Sequence, residues 1–277
     1  SDSRNFTVQN QHMSQRDIFW TRVGEMMRDD NDIVIITADM GTPAFDNIRT
    51  VYPNRFFNVG IAEQNCISVA AGLALEGKKP YIFNIATFAI LRGLEQIKVG
   101  VSIMDLPVTI VGTGTGFSYD DAGPTHQLFE DVAIMRTMPH ITINSASDNI
   151  MARKLAESSR NLKHANYIRL ERHINPNIYD IEADFSDGFQ IINEGEDGCI
   201  VSNGFMLWKC FRLRDELKKQ GLDIGIIDLH TYPCNEQKLC DTLSNYDFIM
   251  TIEESFLPGG MGSYVMEMMG DRQIHKN

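Results

Sequence analysis

No apolar run in this sequence approaches the roughly 20 residues that a membrane-spanning helix needs, so a membrane is not an expected partner. Cysteine is scarce and shows no pairing pattern. Cys66, Cys199, Cys210, Cys234 and Cys240 are odd in number, and no two of them form a CxxC. That argues against a disulfide framework or a thiolate zinc site, and for reduced, buried thiols in a cytoplasmic protein. Positive charge is short as well: 25 Lys and Arg against 37 Asp and Glu leave a net charge of −12. Phosphate backbones are held by Lys and Arg, so the charge argues against a general nucleic-acid binder. The opening "SDSRNFTVQNQHMS" lacks a signal-peptide core and reads as a polar lead-in. There is no short-period repeat and no low-complexity tract.

What is present is a core-forming composition, 43% hydrophobic over 277 residues, and a regular alternation of elements. A helix from about Gln15 to Arg28 leads into "DIVIIT" (Asp32 to Thr37). "RFFNVG" precedes a helix of small residues that begins near Glu63. "KPYIFNI" precedes a helix from about Phe88 to Val101, "LPVTIVG" a glycine-rich loop, and "HITIN" a helix from about Asp148 to Ser158. "ANYIRL" (Ala165 to Leu170) closes the series. Apolar strands without polar alternation, separated by helices, predict a mostly parallel sheet covered on both faces, a doubly wound α/β layer. The acidic, turn-rich "ERHINPNIYDIEADFSD" then reads as a linker. The alternation restarts with "GCIVSNG", a helix from Met206 to Gln220, "DIGIIDL", a helix near Glu236 to Ser244, "DFIMTIEES" and a last helix after "PGGMG". Two α/β domains are expected, over residues 1–171 and 188–277, joined by residues 172–187.

"IVGTGTG" (Ile110 to Gly116) follows a strand and invites a dinucleotide-binding reading. Phe117 stands where GxGxxG needs its third glycine, and "SYDDAGPT" cannot open a helix whose amino end would hold a pyrophosphate. A glycine loop over a site is the better reading. Glu63 is more informative, because it is a lone acid at the start of the small, apolar "ISVAAGLALEG" helix. A first-turn acid complements the helix dipole by only about 0.3–1 kcal/mol, whereas burying its charge is costly.

"VYPNRFFNVGIAEQN" (Val51 to Asn65) and "DAGPTHQLFEDVAIMR" (Asp121 to Arg136) together resemble the pyrimidine-binding domain of transketolases and of the wider thiamine-diphosphate family that includes deoxyxylulose-phosphate synthase. The resemblance extends over nearly the whole chain, as pyrimidine domain followed by transketolase C-terminal domain. It is nearest to the second subunit of transketolases split over two chains. What the resemblance implies for Glu63 is a hydrogen bond to a ring nitrogen of the cofactor's aminopyrimidine. That bond favours the imino tautomer, which deprotonates the thiazolium to its nucleophilic ylid. Shielding from water would strengthen it. A Phe at a helix start is ordinarily core packing; the resemblance places Phe88 on the aminopyrimidine face. Asp39, in "TADM" at the end of a strand, matches the cofactor-contacting loop, with Met40 and Ile61 as apolar supports. His126 of "GPTHQ" would attend the substrate. Arg16 and Arg172 fall where the family grips a sugar phosphate, a task suited to the planar guanidinium fork.

Two positions depart from the family pattern. Ala122 stands where an acid reads a substrate hydroxyl, with Asp120 and Asp121 displaced upstream. Gly114 stands where a histidine often lies near the acceptor phosphate. The family's C-terminal domain also usually continues past "PGGMGSYVMEMM" with a further strand and helix, whereas this sequence stops at Asn277. No GDG motif is present to hold the diphosphate through Mg²⁺. The resemblance therefore implies a separate diphosphate-binding subunit that carries the Mg²⁺ ligands, in an α2β2 heterotetramer with thiamine diphosphate at the interface. The expected reaction is transfer of a two-carbon ketol unit from a phosphorylated ketose to an aldehyde. The rival readings are a 2-oxo-acid decarboxylating subunit and a scaffold without chemistry.

Overall fold

The computed structural model describes residues 13–271, so most of the polar lead-in and the last six residues lie outside the described part. Its centre is a seven-stranded sheet built from β1 (Ile33–Thr37), β2 (Phe56–Asn58), β3 (Lys79–Ile85), β4 (Thr109–Thr113), β5 (Ile141–Ser145), β6 (Ala165–Leu170) and β10 (Thr231–Tyr232). The order is β10-β5-β6-β4-β3-β1-β2. Every pairing is parallel except that of β10 with β5. β1, β4 and β6 are buried along their whole length, as strands covered on both faces must be. A second sheet holds β7 (Phe189–Asn193), β8 (Gly198–Ser202), β9 (Ile224–Leu229) and β11 (Ile249–Ile252), in the order β11-β8-β9-β7 with β7 antiparallel.

One helix runs over Gln15–Met26, capped by the Ser14 side chain, which accepts from the Asp17 amide. It packs against the Asn149–Ser158 helix, whose cap, Asp148, accepts from the Met151 amide at 2.7 Å. Beneath them an aromatic cluster of Trp20, Phe45, Phe83 and Tyr81 fills one face of the sheet, in edge contacts of 4.9–6.4 Å between ring centroids. The other face is covered by the Glu63–Leu75 helix and the segment beginning at Phe88. Small residues let these two approach closely: a Cβ on Gly93 would stand 2.0 Å from Cδ1 of Ile67.

That approach coincides with a departure from expectation. The Phe88 helix is not one α-helix but two π-helical stretches, Phe88–Arg92 and Ile97–Ser102, around a single α-turn at Leu94–Gln96. π-Bulges are frequent at functional sites. The Pro43–Val51 and Asp131–Arg136 helices are further elements that the alternation did not announce. Asp131 is fully buried and takes Arg169 through both its oxygens, at 2.7 and 3.3 Å, together with the Tyr167 hydroxyl at 2.8 Å.

The segment read as a linker is irregular yet stitched down. The second Asp148 oxygen accepts the Ile178 and Tyr179 amides, and the Tyr179 hydroxyl donates to Asp228 at 2.7 Å. Four of the five cysteines are buried and all five are unbridged.

Candidate active site

Because β1, β2, β3, β4 and β6 run parallel, the loops that follow them leave from one edge of the sheet, where doubly wound folds bind ligands. Those loops carry Asp39 and Met40, Ile61 and Glu63, Phe88, His126, and Arg172 respectively. Topology thus gathers residues spread over 133 positions of sequence.

Glu63 opens its helix and is only 6% exposed. Arg92 Nη1 donates to its Oε1 at 2.6 Å, and the same guanidinium lies over the Phe88 ring, 4.0 Å from the centroid. Its other carboxylate oxygen has no hydrogen bond to a described residue. The Phe88 ring meets His126 edge-on at 5.0 Å, and His126 stands 5.9 Å from the Tyr119 ring. Tyr119 in turn carries the Arg172 guanidinium over its face at 4.6 Å. The result is a continuous row, Glu63–Arg92–Phe88–His126–Tyr119–Arg172, with an anionic end and a cationic end.

Several backbone ties hold the row in place. The Thr87 hydroxyl donates to the carbonyls of His126 and Gln127 at 2.9 and 3.2 Å, pinning the GPTHQ loop beside Phe88. The His126 ring shares a hydrogen bond of 2.9 Å with the Thr125 hydroxyl through Nδ1. Asn58 Oδ1 accepts the amides of both Asp39 and Gly60 at 3.0 Å, joining the loop after β1 to the one that delivers Glu63. Asp39 takes left-handed backbone there, at φ 59°, a conformation that Asp tolerates better than most residues. Burial pushes the Cys66 thiol, one helical turn after Glu63, up to about 12, so it cannot serve as a nucleophile near neutral pH.

The expected site residues differ in placement. Glu63, Phe88, His126 and Arg172 belong to the row. Arg16 bonds its neighbour Asp17 at 2.9 Å, and its charge bears on Tyr119, as does that of Arg172. Burial, the largest influence, nonetheless holds the Tyr119 hydroxyl above its ordinary value against both cations. Arg172 reaches Asp121 at 3.5 Å. Met40 packs against the Trp20–Phe45 cluster, and its backbone bonds the Thr37 hydroxyl. Ile61 is 78% exposed on the loop before Glu63.

Two members of the row escaped the sequence reading. Arg92 is four residues after Phe88 within one helical segment, a spacing that shares a face. Tyr119 explains Gly114: a Cβ there would fall 2.0 Å from Tyr119 Cε2, on backbone at φ +85°. The ring fills the space a side chain at 114 would need. The glycine loop opens no helix; it docks on the second sheet's side, where the Phe117 amide donates to Glu254 at 3.2 Å.

Two family models cover nearly the whole chain. The transketolase pyrimidine-binding domain matches residues 11–176, and the transketolase C-terminal domain matches residues 188–277. The 1-deoxy-D-xylulose-5-phosphate synthase of Caldanaerobacter subterraneus subsp. tengcongensis is 33% identical over 95% of this chain, which spans only 43% of that protein. One of the subunits of the apulose-4-phosphate transketolase of Phocaeicola vulgatus is 28% identical, with 96% of this chain and 86% of that one aligned. Among solved structures, a split-gene transketolase described as an inactive β4 tetramer superimposes with a TM-score of 0.85 at 29% identity, over 94% of this chain and 85% of its own. Fold, domain models and relatives agree: this chain belongs to the transketolase family of thiamine-diphosphate-dependent enzymes.

Proposed function

We propose that this chain is the pyrimidine-binding and C-terminal subunit of a split transketolase-like enzyme that moves a two-carbon ketol unit from a phosphorylated ketose to an aldehyde. The observation that carries the proposal is the row from Glu63 to Arg172, which sets a buried carboxylate, an aromatic face, an imidazole and a cation side by side.

The residues fit one end of thiamine diphosphate. The Glu63 oxygen that bonds no described residue can hold a proton shared with a ring nitrogen, and the half-buried Phe88 supplies an apolar face beside it. When bound, the cofactor supplies the carbon nucleophile and the electron sink for breaking a C–C bond. Asp39, with Met40 and Ile61, would line its flank from the loops that Asn58 joins. His126 would hydrogen-bond substrate oxygens or move a proton there. Arg172, with Arg16 nearby, would hold the phosphate at the far end of the row, exchanging Asp121 and Asp17 for phosphate oxygens.

The diphosphate end is assigned to a partner subunit that contributes the Mg²⁺ ligands, since this sequence has no GDG motif. The working assembly is then an α2β2 heterotetramer in the cytoplasm, with residues 1–171 and 188–277 as its two domains on this side and 172–187 between them. A second reading, decarboxylation of a 2-oxo acid, is favoured by the 33% identity to a deoxyxylulose-phosphate synthase.

Thiamine diphosphate binding with Mg²⁺, measured by calorimetry on this chain alone and with its partner subunit, tests the assembly. Binding is expected only to the pair, and tight binding to the lone chain would sink the shared site. Product analysis on the pair then separates the two chemistries. Ketol transfer is expected, and carbon dioxide release from pyruvate would favour the second reading. Full activity in Glu63→Gln would overturn the role given to that carboxylate.

A further inference from the structure

The opposite edge of the same sheet carries a second constellation. Asp105 precedes β4, His140 precedes β5 and His164 precedes β6, and the sheet order places these strands side by side as β5-β6-β4. Neighbouring strands lie about 4.8 Å apart, so three residues at their amino ends come within reach of one another. His164 Nδ1 stands 2.6 Å from Asp105 Oδ1, and His140 Nδ1 stands 3.7 Å from that same oxygen. The two imidazoles stack at 5.7 Å with their planes 24° apart. Asp105 and His140 both take left-handed backbone, at φ 53° and 58°.

We propose that Asp105, His140 and His164 form a binding site for one divalent transition-metal ion of the zinc type. The three ligand atoms already lie within 4.8 Å of one another. A tetrahedral ion with bonds of about 2.0–2.1 Å needs them roughly 3.3 Å apart. Asp105 and His164 would open by less than about 1 Å, Asp105 and His140 would close by less than about 0.5 Å, and the two imidazoles, no more than 4.8 Å apart, would close by up to about 1.5 Å, movements that exposed side chains make by small rotations. All three side chains are partly open to water, from 38% to 54%, which leaves a fourth position for solvent.

The donor set decides the class of ion. Two imidazoles and one carboxylate suit Zn²⁺, Co²⁺, Ni²⁺ or Cu²⁺, whereas Mg²⁺ and Ca²⁺ prefer oxygen alone. Among the described residues, no Lys or Arg is ion-paired with Asp105; the two histidines are its basic neighbours. A bound ion would take the place of that contact and tie together three loops separated by 35 and 24 residues of chain. Its effect is a clamp on the amino edge of the sheet, away from the edge that carries Glu63.

The test uses the full chain, stripped with chelator and titrated with Co²⁺, followed by Zn²⁺ displacement. One equivalent of Co²⁺ should bind with visible d–d absorption, Zn²⁺ should remove the signal, and millimolar Mg²⁺ should leave it. Asp105→Asn, His140→Ala and His164→Gln should each weaken binding by at least about tenfold, with circular dichroism confirming that each variant is folded. His173→Ala, outside the cluster, should bind as the parent does. Absence of saturable binding, or unchanged affinity in all three ligand variants, would overturn the proposal; the second result would place the ion elsewhere, at the thiols for example.

Discussion

Replacing Arg92 with Ala should reveal what allows a carboxylate to sit at the start of so apolar a helix. The Glu63 side chain is 7% exposed, the Arg92 side chain is 50% exposed, and they meet at 2.6 Å. Losing one partner of a fully buried pair costs about 3–5 kcal/mol, while an exposed pair is worth about 1 kcal/mol or less. With one partner half in water, this pair belongs between those limits, near 2 kcal/mol. The guanidinium also covers the Phe88 ring at 4.0 Å, which adds about 0.5–1 kcal/mol. Arg92→Ala should therefore destabilise the chain by roughly 2–3 kcal/mol. Part of that loss is the charge left alone on Glu63, so Arg92→Ala combined with Glu63→Gln should be less damaging than the sum of the single changes. Urea titrations of the four proteins at one pH give the coupling directly, expected at about 1–2 kcal/mol with an unchanged m-value. Additivity within about 0.5 kcal/mol would refute the reasoning. The helix amino terminus alone would then be sustaining the acid.

Three other expectations concern packing and pH. Gly114→Ala puts a Cβ 2.0 Å from Tyr119 on backbone at φ +85°, costing about 1–2 kcal/mol in backbone alone; a thermal midpoint equal to the parent's would mean that the ring does not occupy that space. Gly93→Ala drives its Cβ against Ile67 and the Ala89 carbonyl, at 2.0 and 2.8 Å, for about 1–3 kcal/mol of overpacking, and Ile67→Ala in the same chain should recover part of the loss if the clash is real. Burial lowers the His230 pKa to about 3, so below its ordinary 6.5 the unfolded chain takes up a proton that the folded one refuses, and stability falls with falling pH. Asp228 acts in the opposite sense: burial raises its carboxyl from 3.8 to about 7, the unfolded chain loses that proton first, and stability falls as the pH rises from about 4 to 7. These slopes oppose each other between pH 4 and 6.5. Relative to the parent, His230→Asn should tilt the stability profile downward with pH and Asp228→Asn upward, each by about 1.4 kcal/mol per pH unit; parallel profiles for the two variants would dismiss both assignments.

Much of this architecture was legible before any coordinates. Runs such as "DIVIIT" and "ANYIRL" are apolar without alternation because both of their faces are covered, and they fall on β1 and β6 as read. Helix ends were legible where a side chain caps them, as at Asp148. The π-helical stretches on either side of Gly93 were not, because apolar spacing cannot separate a π-turn from an α-turn. β10 was equally hidden: two residues of the carboxy-terminal half pair with β5 by a register that no local pattern encodes.

The alternation of the main strands and helices, the acid at Glu63, the loop around His126 and the missing side chain at Gly114 were determined by the sequence alone, since each depends on residue type and near spacing. The tertiary structure decided who stands beside whom. Arg92 reaches Glu63 across 29 positions, Tyr119 fills the gap left by Gly114, and three separate strand starts bring Asp105, His140 and His164 together. Burial and the pairing of charges depend on distances through space, and those are fixed only when the sheet is assembled.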